Sequence, residues 1–404
     1  MEQKKDGISR REFIKTVGLG GLAATGLNTE KALAASQDEG KAPSMPKRKL
    51  GKTGLEISIL CLGGMFDTVN NQLLLRQAYN WGINCWDTAE AYGNGLSEEG
   101  YGRFFARNPG ARKDIVVITK LKNSTPGNLT PGLEKGLKRL NSEYVDLFFL
   151  HGIGDFSEIT PQVRDWAQQM KKAGKIRFFG FSTHANMEDC LLASAKVDWI
   201  DAIMFAYNFR LINTRKMQEA VEACTSAGVG LIAMKSQGSG PAKPESEAES
   251  AMLTKLIERG FTDKQAKLKA VWENPRIAAI CSQMPSLSIL SANVAAAKDA
   301  TSLTRGDLRL LDSFAKETRG GYCAGCGSIC AEAVDGKVPI NDVMRCLMYY
   351  RDYGDRDLAR EVFAQMPETV RKHLATTDYS AAERSCPHDL EIGRLVREAL
   401  TLLA

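Results

Sequence analysis

The sequence lacks the features that would assign the protein to several simple classes. No run of eighteen consecutive apolar residues occurs in its 404 residues, which excludes a protein with several membrane-spanning helices. The 53 basic and 48 acidic residues nearly balance, so charge alone does not predict nucleic-acid binding. Ten cysteines are too few for a disulfide scaffold. A content of 44% hydrophobic and 25% charged residues is typical of a globular protein and excludes extensive disorder.

The first residues are predicted to be an export signal. Arg10 and Arg11 precede a Gly/Ala-rich apolar stretch, and Ala32–Ala34 provides a small-residue cleavage site. This order is typical of a signal peptide, and the paired arginines resemble the twin-arginine signal. We expect a signal over residues 1–34, the twin-arginine export machinery as a partner, a periplasmic location and no membrane span after cleavage. An amphipathic first helix that contains two arginines is the alternative.

After a polar linker at residues 35–45, short apolar segments alternate with amphipathic ones. The predicted strands are Ile57–Gly63, Gly82–Asp87, Asp114–Lys120, Val145–His151, Ile176–Ser182, Ala202–Ala206, Gly228–Lys235 and Ile277–Ser282. The predicted helices include Gln72–Trp81, Pro131–Leu140, Ile159–Lys172, Thr214–Ala227 and Lys264–Glu273. Apolar strands separated by helices indicate a parallel sheet covered on both faces. Eight such units fit a (β/α)8 TIM barrel over residues 46–303.

Two further features favour the barrel. No G-x-G-x-x-G motif follows the first predicted strand, which counts against a Rossmann fold. The segment Leu50–Leu55 precedes that strand and is predicted to form a small hairpin that closes the bottom of the barrel.

Side chains of complementary chemistry follow several predicted strands. Asp87, Lys120 and His151 end three of them, and Tyr92 lies in the loop after the second strand. In such a barrel the functional residues lie at the C-terminal strand ends. An ammonium group lowers the pKa of a nearby phenol, and a carboxylate holds the ammonium group in place. With an imidazole to orient a carbonyl oxygen or relay a proton, this set suits carbonyl reduction.

The motifs around these residues resemble the aldo-keto reductase family. They are Leu50–Gly54, Asp87–Gly93, Ile118–Lys120, Asp146–His151, Gly180–Ser182, Tyr207–Asn208 and Ala233–Lys235. The resemblance covers roughly residues 46–300 and implies a catalytic tetrad of Asp87, Tyr92, Lys120 and His151, with Tyr92 as general acid. It also implies hydride transfer between a nicotinamide cofactor and a small carbonyl or alcohol substrate.

The resemblance also suggests where the cofactor binds. It places Ser182 at the nicotinamide carboxamide and Asn293 at the adenine end. Lys235, Ser236 and Gly238 are the candidates for the pyrophosphate. No arginine occurs in residues 282–293 to mark a 2′-phosphate, so the choice between NAD and NADP stays open.

Two positions depart from the family pattern beside the nicotinamide. Thr183 stands where relatives usually have Asn, and Met204 stands where they have Gln, although Met cannot form the hydrogen bonds of an amide. His184 is a candidate to replace them. These departures keep a second hypothesis open, namely a non-catalytic binding or electron-carrier protein on a barrel with a degenerate nicotinamide site.

The last hundred residues, 304–404, are predicted to be a mainly helical domain with a cysteine cluster. Its candidate metal ligands are Cys323, Cys326, Cys330 and Cys386. The C-x2-C-x3-C spacing and a proline after the remote fourth cysteine are typical of iron–sulfur sites. The tail resembles the iron–sulfur extension of one branch of aldo-keto reductases, which implies one [4Fe–4S] cluster and a redox partner. Zinc with His388 as an alternative ligand, disulfides and free thiols remain alternatives.

The other six cysteines are predicted to be core residues. Five lie in apolar runs of the barrel, namely Cys61, Cys85, Cys190, Cys224 and Cys281. Cys346 lies in a helical pattern of the tail. Buried free cysteines of this kind behave as small hydrophobic residues.

The export hypothesis is tested by fusing residues 1–36 to a reporter protein. We expect export that stops when Arg10 and Arg11 are both replaced by lysine, because the twin-arginine machinery requires the arginine pair. Export that survives this replacement would contradict a twin-arginine signal.

Overall fold

The computed structural model describes residues 44–122, 124–238, 254, 258, 262–336 and 338–404. The predicted signal and nearly all of the predicted linker lie outside these residues. The chain from Ser44 to Ala404 forms one compact unit.

A hairpin closes one end of the barrel, as the sequence predicts. Strands β1 (Lys47–Lys49) and β2 (Glu56–Ser58) pair antiparallel. The loop between them inserts a fully buried Leu50 into the barrel interior. Gly51 has a φ of +50°, and a Cβ there would lie 2.4 Å from the carbonyl oxygen of Gly228. Only glycine therefore allows the loop to approach the start of the neighbouring strand this closely.

Eight parallel strands form a closed barrel. They are β3 (Leu60–Gly63), β4 (Cys85–Asp87), β5 (Val116–Leu121), β6 (Val145–His151), β7 (Ile176–Thr183), β8 (Ala202–Ala206), β9 (Gly230–Met234) and β10 (Ala279–Gln283). Each strand pairs with the next along the chain, and β10 pairs with both β9 and β3. The (β/α)8 TIM barrel predicted from the sequence is confirmed. Closure brings all eight C-terminal strand ends to one rim.

Helices surround the barrel. They are α1 (Gln72–Asn80), α2 (Leu96–Arg107), α3 (Ala111–Asp114), α4 (Pro126–Arg139), α5 (Pro161–Lys172), α6 (Met187–Ser194), α7 (Arg215–Ser226), α8 (Asp263–Trp272) and α9 (Leu287–Lys298). Helix α4 begins five residues before the predicted start at Pro131, which lies inside the helix. The earlier start follows from its cap, because the backbone N–H of Thr125 donates to Asn128 Oδ1 at 2.8 Å.

The barrel interior below the rim is filled by apolar side chains. Cys61, Cys85, Ile118, Phe149 and Met204 are all buried there, with at most 1% exposure. The barrel therefore contains a packed core and no channel, which confines ligands to the rim.

The tail is mainly helical, as predicted. Its helices are α10 (Arg305–Glu317), α11 (Gly327–Glu332), α12 (Ile340–Arg351), α13 (Arg356–Ala364), α14 (Glu368–Thr376), α15 (Ser380–Ser385) and α16 (Ile392–Leu403). Helix α10 packs Leu311 and Phe314 against Phe209 of the barrel, whereas the later helices share a core of their own around Phe363 and Val396. No helix in the described part of the chain is long and apolar enough to span a membrane.

The tail covers the C-terminal rim of the barrel. The hydrogen bonds that connect them include those from Lys122 Nζ to Gln365 Oε1 at 3.1 Å, Asn186 N to Gly325 O at 2.8 Å, Asn208 Nδ2 to Tyr322 Oη at 2.9 Å and Lys235 Nζ to Tyr349 Oη at 3.1 Å. These barrel residues follow β5, β7, β8 and β9, so the contacts extend around half of the rim. A Cβ at Gly325 would lie 2.1 Å from the carbonyl oxygen of His184, so the cysteine loop needs glycine where it meets the barrel.

Candidate active site

A buried ion pair lies at the rim. Asp87 ends β4 and Lys120 lies on the adjacent β5, so pairing of these strands brings the two side chains together. Lys120 Nζ lies 2.5 Å from Asp87 Oδ1, and the two side chains are only 1% and 2% exposed. Lys120 Nζ also donates to the carbonyl oxygen of Thr88 at 2.8 Å. Burial lowers the pKa of Lys120, but the Asp87 carboxylate and Tyr92 outweigh this effect and raise it, so the ammonium group stays charged.

The ammonium group contacts the phenol of Tyr92. Lys120 Nζ donates to Tyr92 Oη at 3.2 Å and lies 4.6 Å from the centre of the ring. Tyr92 follows β4 in a short turn that passes through Gly93 and Asn94, both at positive φ. Burial raises the pKa of Tyr92, and the charge of Lys120 opposes that rise. The phenol is therefore protonated at neutral pH, and the cation beside it is positioned to stabilise a phenolate.

His151 completes the predicted set of four. The imidazole of His151 stands edge-on to Tyr92, with ring centres 5.5 Å apart and planes at 85°. Burial, followed by the charge of Lys120, lowers the pKa of His151 well below its usual value, so the imidazole is neutral. Its Nδ1 is buried and has no hydrogen-bond partner among the described residues. Asp87, Tyr92, Lys120 and His151 thus meet at one place on the rim.

Cys281 also belongs to this group, although its apolar surroundings in the sequence predict a core residue. It is the register partner of Cys61 on the adjacent β3, and it lies near enough to Asp87 and Lys120 to interact with them electrostatically. Cys281 is partly exposed at the rim, unlike Cys61. Its place near the C-terminal end of β10 is the sequence signal that could have identified it.

The sequence of the barrel identifies the family of the protein. The sequence model of the Aldo/keto reductase family matches residues 60–308, more than half of the chain. The chain belongs to the aldo/keto reductase family.

The similar proteins include an enzyme and a channel subunit. L-galactose dehydrogenase of Arabidopsis thaliana is 27% identical over 285 residues, which are 63% of this chain and 89% of that enzyme. A probable voltage-gated potassium channel subunit beta of the same plant is 28% identical over 215 residues, 48% of this chain and 65% of that protein. The solved thermostable aldo-keto reductase Tm1743, in complex with epalrestat, matches with a TM-score of 0.56 and 26% identity, covering 67% of this chain and 99% of that one.

The residues expected at the cofactor lie along the same aldo-keto reductase rim. Ser182 is the last residue but one of β7, and its hydroxyl accepts from the N–H of Gly152 at 3.0 Å. Asn293 on α9 is buried and donates to Ser282 Oγ at 3.0 Å. Ser236 is 4% exposed, and its hydroxyl has no hydrogen-bond partner in the described ranges.

Lys235 and Gly238 are already engaged within the protein. The Lys235 ammonium group donates to Tyr349 Oη and lies 4.6 Å from the centre of that ring. The carbonyl oxygen of Gly238 accepts from Arg210 Nε at 2.8 Å. The predicted pyrophosphate-binding residues therefore lie close together, but the tail and a neighbouring loop already bind two of them.

The two departures from the family pattern are neighbours. Met204 is the register partner of Ser182 on the adjacent strand and is buried in the barrel interior. Thr183 turns its hydroxyl toward the loop and donates to Ala185 O at 2.7 Å. Neither side chain supplies an amide beside the expected nicotinamide position.

The tail adds rim residues to which the sequence analysis assigns no role. Arg345 and Tyr349 are four residues apart on α12 and therefore lie on one face of that helix. Tyr349 accepts a hydrogen bond from Lys235, and Arg345 lines the same pocket as Lys235. Because Lys235 lies beyond β9 in the sequence, only the docking of the tail onto the barrel reveals this contact.

The four predicted metal ligands lie around one small pocket in the tail. Cys323, Cys326, Cys330 and Cys386 line it together with His388. As placed, the described residues contain no group of three or more His, Cys, Asp or Glu side chains arranged to hold a metal ion. Burial raises the pKa of Cys323 to about 12 and that of Cys326 to about 11, and neighbouring thiols add to both shifts. Thiolates at these positions would therefore need a bound cation.

His184 gives a testable pH dependence of stability. Burial, then the charges of Lys235 and Arg345, hold the pKa of His184 well below its usual value, so the native imidazole stays neutral while the unfolded chain binds a proton. Its contribution is complete above about pH 6.5 and is lost as the pH falls, by up to about 1.4 kcal/mol per pH unit. We expect His184→Gln to flatten this decline, measured by urea unfolding between about pH 7 and pH 5.

His373 provides the matched control. It is exposed on α14, and His373→Gln should leave the decline as it is in the unmodified protein. An equally steep decline in His184→Gln would contradict a buried neutral imidazole at position 184.

Proposed function

We propose that the protein is a nicotinamide-linked oxidoreductase that reduces a carbonyl group or oxidises an alcohol or sugar hydroxyl. The contact that carries this proposal is the 3.2 Å hydrogen bond from Lys120 Nζ to Tyr92 Oη, with Asp87 2.5 Å from the same ammonium group. A protonated phenol beside a fixed cation is a general acid that can release its proton to a developing alkoxide. A potassium channel subunit among the relatives shows that membership of the family does not by itself establish an enzyme.

The predicted cofactor-binding residues at the rim fit a nicotinamide dinucleotide in part. The buried hydroxyl of Ser236, which has no partner in the described ranges, is suited to a phosphate oxygen. Asn293 would hold the adenine end, and Ser182 would face the nicotinamide. Lys235 would have to share its ammonium group between Tyr349 and a phosphate. When bound, the dinucleotide would supply or accept the hydride.

The protein's own residues would manage the proton. In reduction, Tyr92 Oη would give its proton to the carbonyl oxygen, and Lys120 would stabilise the phenolate that forms. Asp87 would hold Lys120 in place and offset its charge. Neutral His151 would donate a hydrogen bond to the same oxygen and orient the carbonyl group. Oxidation of an alcohol follows the same path in reverse, with the phenolate of Tyr92 accepting the proton.

The cysteine pocket is proposed to hold one [4Fe–4S] cluster, with zinc as the alternative. Four thiols converging on one pocket are the donor set that either centre requires. Cys323 lines both this pocket and the larger pocket at the rim, so the two sites would share a wall. That position allows a cluster either to support the tail structurally or to pass electrons to a redox partner.

A second candidate function is a binding or electron-carrier protein on the same barrel. Thr183 and Met204, which supply no amide beside the nicotinamide position, are the observation that favours it. The complete set of Asp87, Tyr92, Lys120 and His151 favours the enzyme instead.

Export by the twin-arginine pathway to the periplasm remains part of the proposal. It is supported by Arg10 and Arg11 in the sequence alone. Because this pathway exports folded proteins, it would allow a cofactor to be inserted before export.

Replacement of Tyr92 by phenylalanine tests the proposed acid. We expect Tyr92→Phe to lower kcat for carbonyl reduction by about 10²–10⁴-fold while nicotinamide binding is kept, because only the proton donor is lost. Turnover is followed by nicotinamide absorbance and binding by quenching of protein fluorescence.

Tyr79→Phe is the matched control for the phenol. Tyr79 Oη donates to Asp114 Oδ2 at 2.7 Å on the outside of the barrel, so its loss should leave turnover unchanged. Full activity in Tyr92→Phe would refute the assignment of Tyr92. Failure of the unmodified protein to bind NAD or NADP would instead refute the oxidoreductase and favour the binding protein.

Metal analysis of anaerobically purified protein tests the cysteine pocket. A cluster predicts broad visible absorbance and about four irons per chain, both lost in Cys326→Ser. Cys346→Ala, which changes a buried core thiol of α12, should retain both. One zinc per chain without iron would contradict the cluster and support the alternative.

A further inference from the structure

A pocket lies between the barrel rim and the tail, beside the proposed catalytic residues. Its barrel wall includes His184, Ala206 and Lys235, and its tail wall includes Met344, Arg345 and Met348 of α12. The walls combine apolar surface with the charged groups of Lys235, Arg345, Arg351 and Asp352. Such a combination is typical of sites that fix a small ligand by a few polar contacts.

The guanidinium group of Arg345 is the main charged group of the tail wall. Its side chain is 24% exposed, and its Nη1 lies 3.1 Å from Oδ1 of Asp342, one turn earlier on the same helix. No other carboxylate lies within ion-pair distance of Arg345 in the described part of the chain. A single ion pair between partly exposed groups is weak, and it uses only part of a five-donor guanidinium group. Arg345 therefore retains donors for a second anion.

No carboxylate among the described residues forms an ion pair with Lys235, the cation of the barrel wall. The Lys235 ammonium group donates to the phenol of Tyr349, which is an uncharged partner. Of the other charged groups that line the pocket, Arg351 is ion-paired with Glu398, and Asp352 contributes one negative charge.

The field in this region is positive. His184 lines the pocket, and the charges of Arg345 and Lys235 also contribute to lowering the pKa of His151. Burial and these cations hold the pKa values of both histidines well below the usual range, so neither imidazole adds a charge of its own. A positive, partly buried pocket beside neutral imidazoles favours an anionic ligand.

We propose that this pocket recognises the carboxylate of an acidic substrate, a carbonyl compound or its alcohol that carries a carboxylate, with Arg345 as its partner and the charge of Lys235 adding to the positive field. The proposal rests on the oxidoreductase function proposed above and names its substrate class. A guanidinium group suits a carboxylate because it can form two parallel hydrogen bonds. Arg345 would act as a specificity-determining residue that orients the substrate, while the proton passes through Tyr92.

The same anion recognition could serve the pyrophosphate of a dinucleotide. The position of Arg345 favours the substrate, because it lines the pocket together with His184, which lies two residues beyond Ser182 at the expected nicotinamide position. Separate measurements of acid binding and dinucleotide binding distinguish the two ligands.

The test compares two acids with uncharged counterparts of similar size, by calorimetric titration of the full chain. The pairs are D-gluconate with D-glucitol and L-lactate with propane-1,2-diol. We expect at least one acid to bind about tenfold or more tightly than its counterpart, and Arg345→Gln to remove that preference. Arg394→Gln should keep it, because Arg394 lies outside the pocket on the surface of α16, where it forms ion pairs with Glu391 and Glu398.

Two results would overturn the proposal. One is the absence of an acid preference in both pairs, or its persistence in Arg345→Gln. The other is an Arg345→Gln variant that binds NAD and NADP more weakly and keeps its acid preference, which would assign the guanidinium group to the pyrophosphate. These titrations need no turnover. A protein that prefers acids but transfers no hydride would therefore refute the proposed oxidoreductase function and leave the acid-binding pocket supported. An active protein without acid preference would refute only this inference.

Discussion

The rim depends on one buried ion pair. Lys120 is almost fully enclosed, and an isolated ammonium group in such a place would lose its charge. Asp87 on the adjacent strand, 2.5 Å away, keeps that charge, and the charge in turn favours a phenolate at Tyr92 and a neutral imidazole at His151. Closure of the barrel makes the pair possible, because parallel pairing of β4 with β5 brings the two strand ends together. The protonation states needed for proton transfer thus follow from strand register.

The tail covers the rim, which would be open to solvent in an isolated barrel. Its contacts extend from the end of β5 to the end of β9, and they include a hydrogen bond from Lys235 to the tail residue Tyr349. A ligand at the rim would therefore lie between two layers, with strand ends below and α12 above. The cysteine pocket shares Cys323 with the pocket between these layers, so the state of the cysteines and the shape of the rim are structurally connected.

Much of this architecture follows from sequence pattern, and the failures have physical causes. Strand ends such as Asp87 and His151 were predictable because apolar runs mark the strands and a barrel displays their C-terminal residues. The position of Arg345 was not predictable, because it depends on how α12 docks onto the barrel, which no local pattern encodes. Cys281 was predicted to be a core residue because it lies in an apolar run. It does pack against the barrel core, but its place near the end of β10 leaves it partly exposed at the rim. The internal Pro131 shows that an N-terminal cap can place a helix start ahead of a proline.

The central claim is that the rim holds a nicotinamide cofactor beside Tyr92, Lys120 and His151. It is tested most directly by expressing the full chain with its first residues intact, denaturing the purified protein and identifying the small molecules released. The account predicts release of NAD or NADP, approaching about one molecule per chain, or saturable binding when either is added to protein that has lost it. A protein that releases no nicotinamide and binds neither dinucleotide would contradict the account.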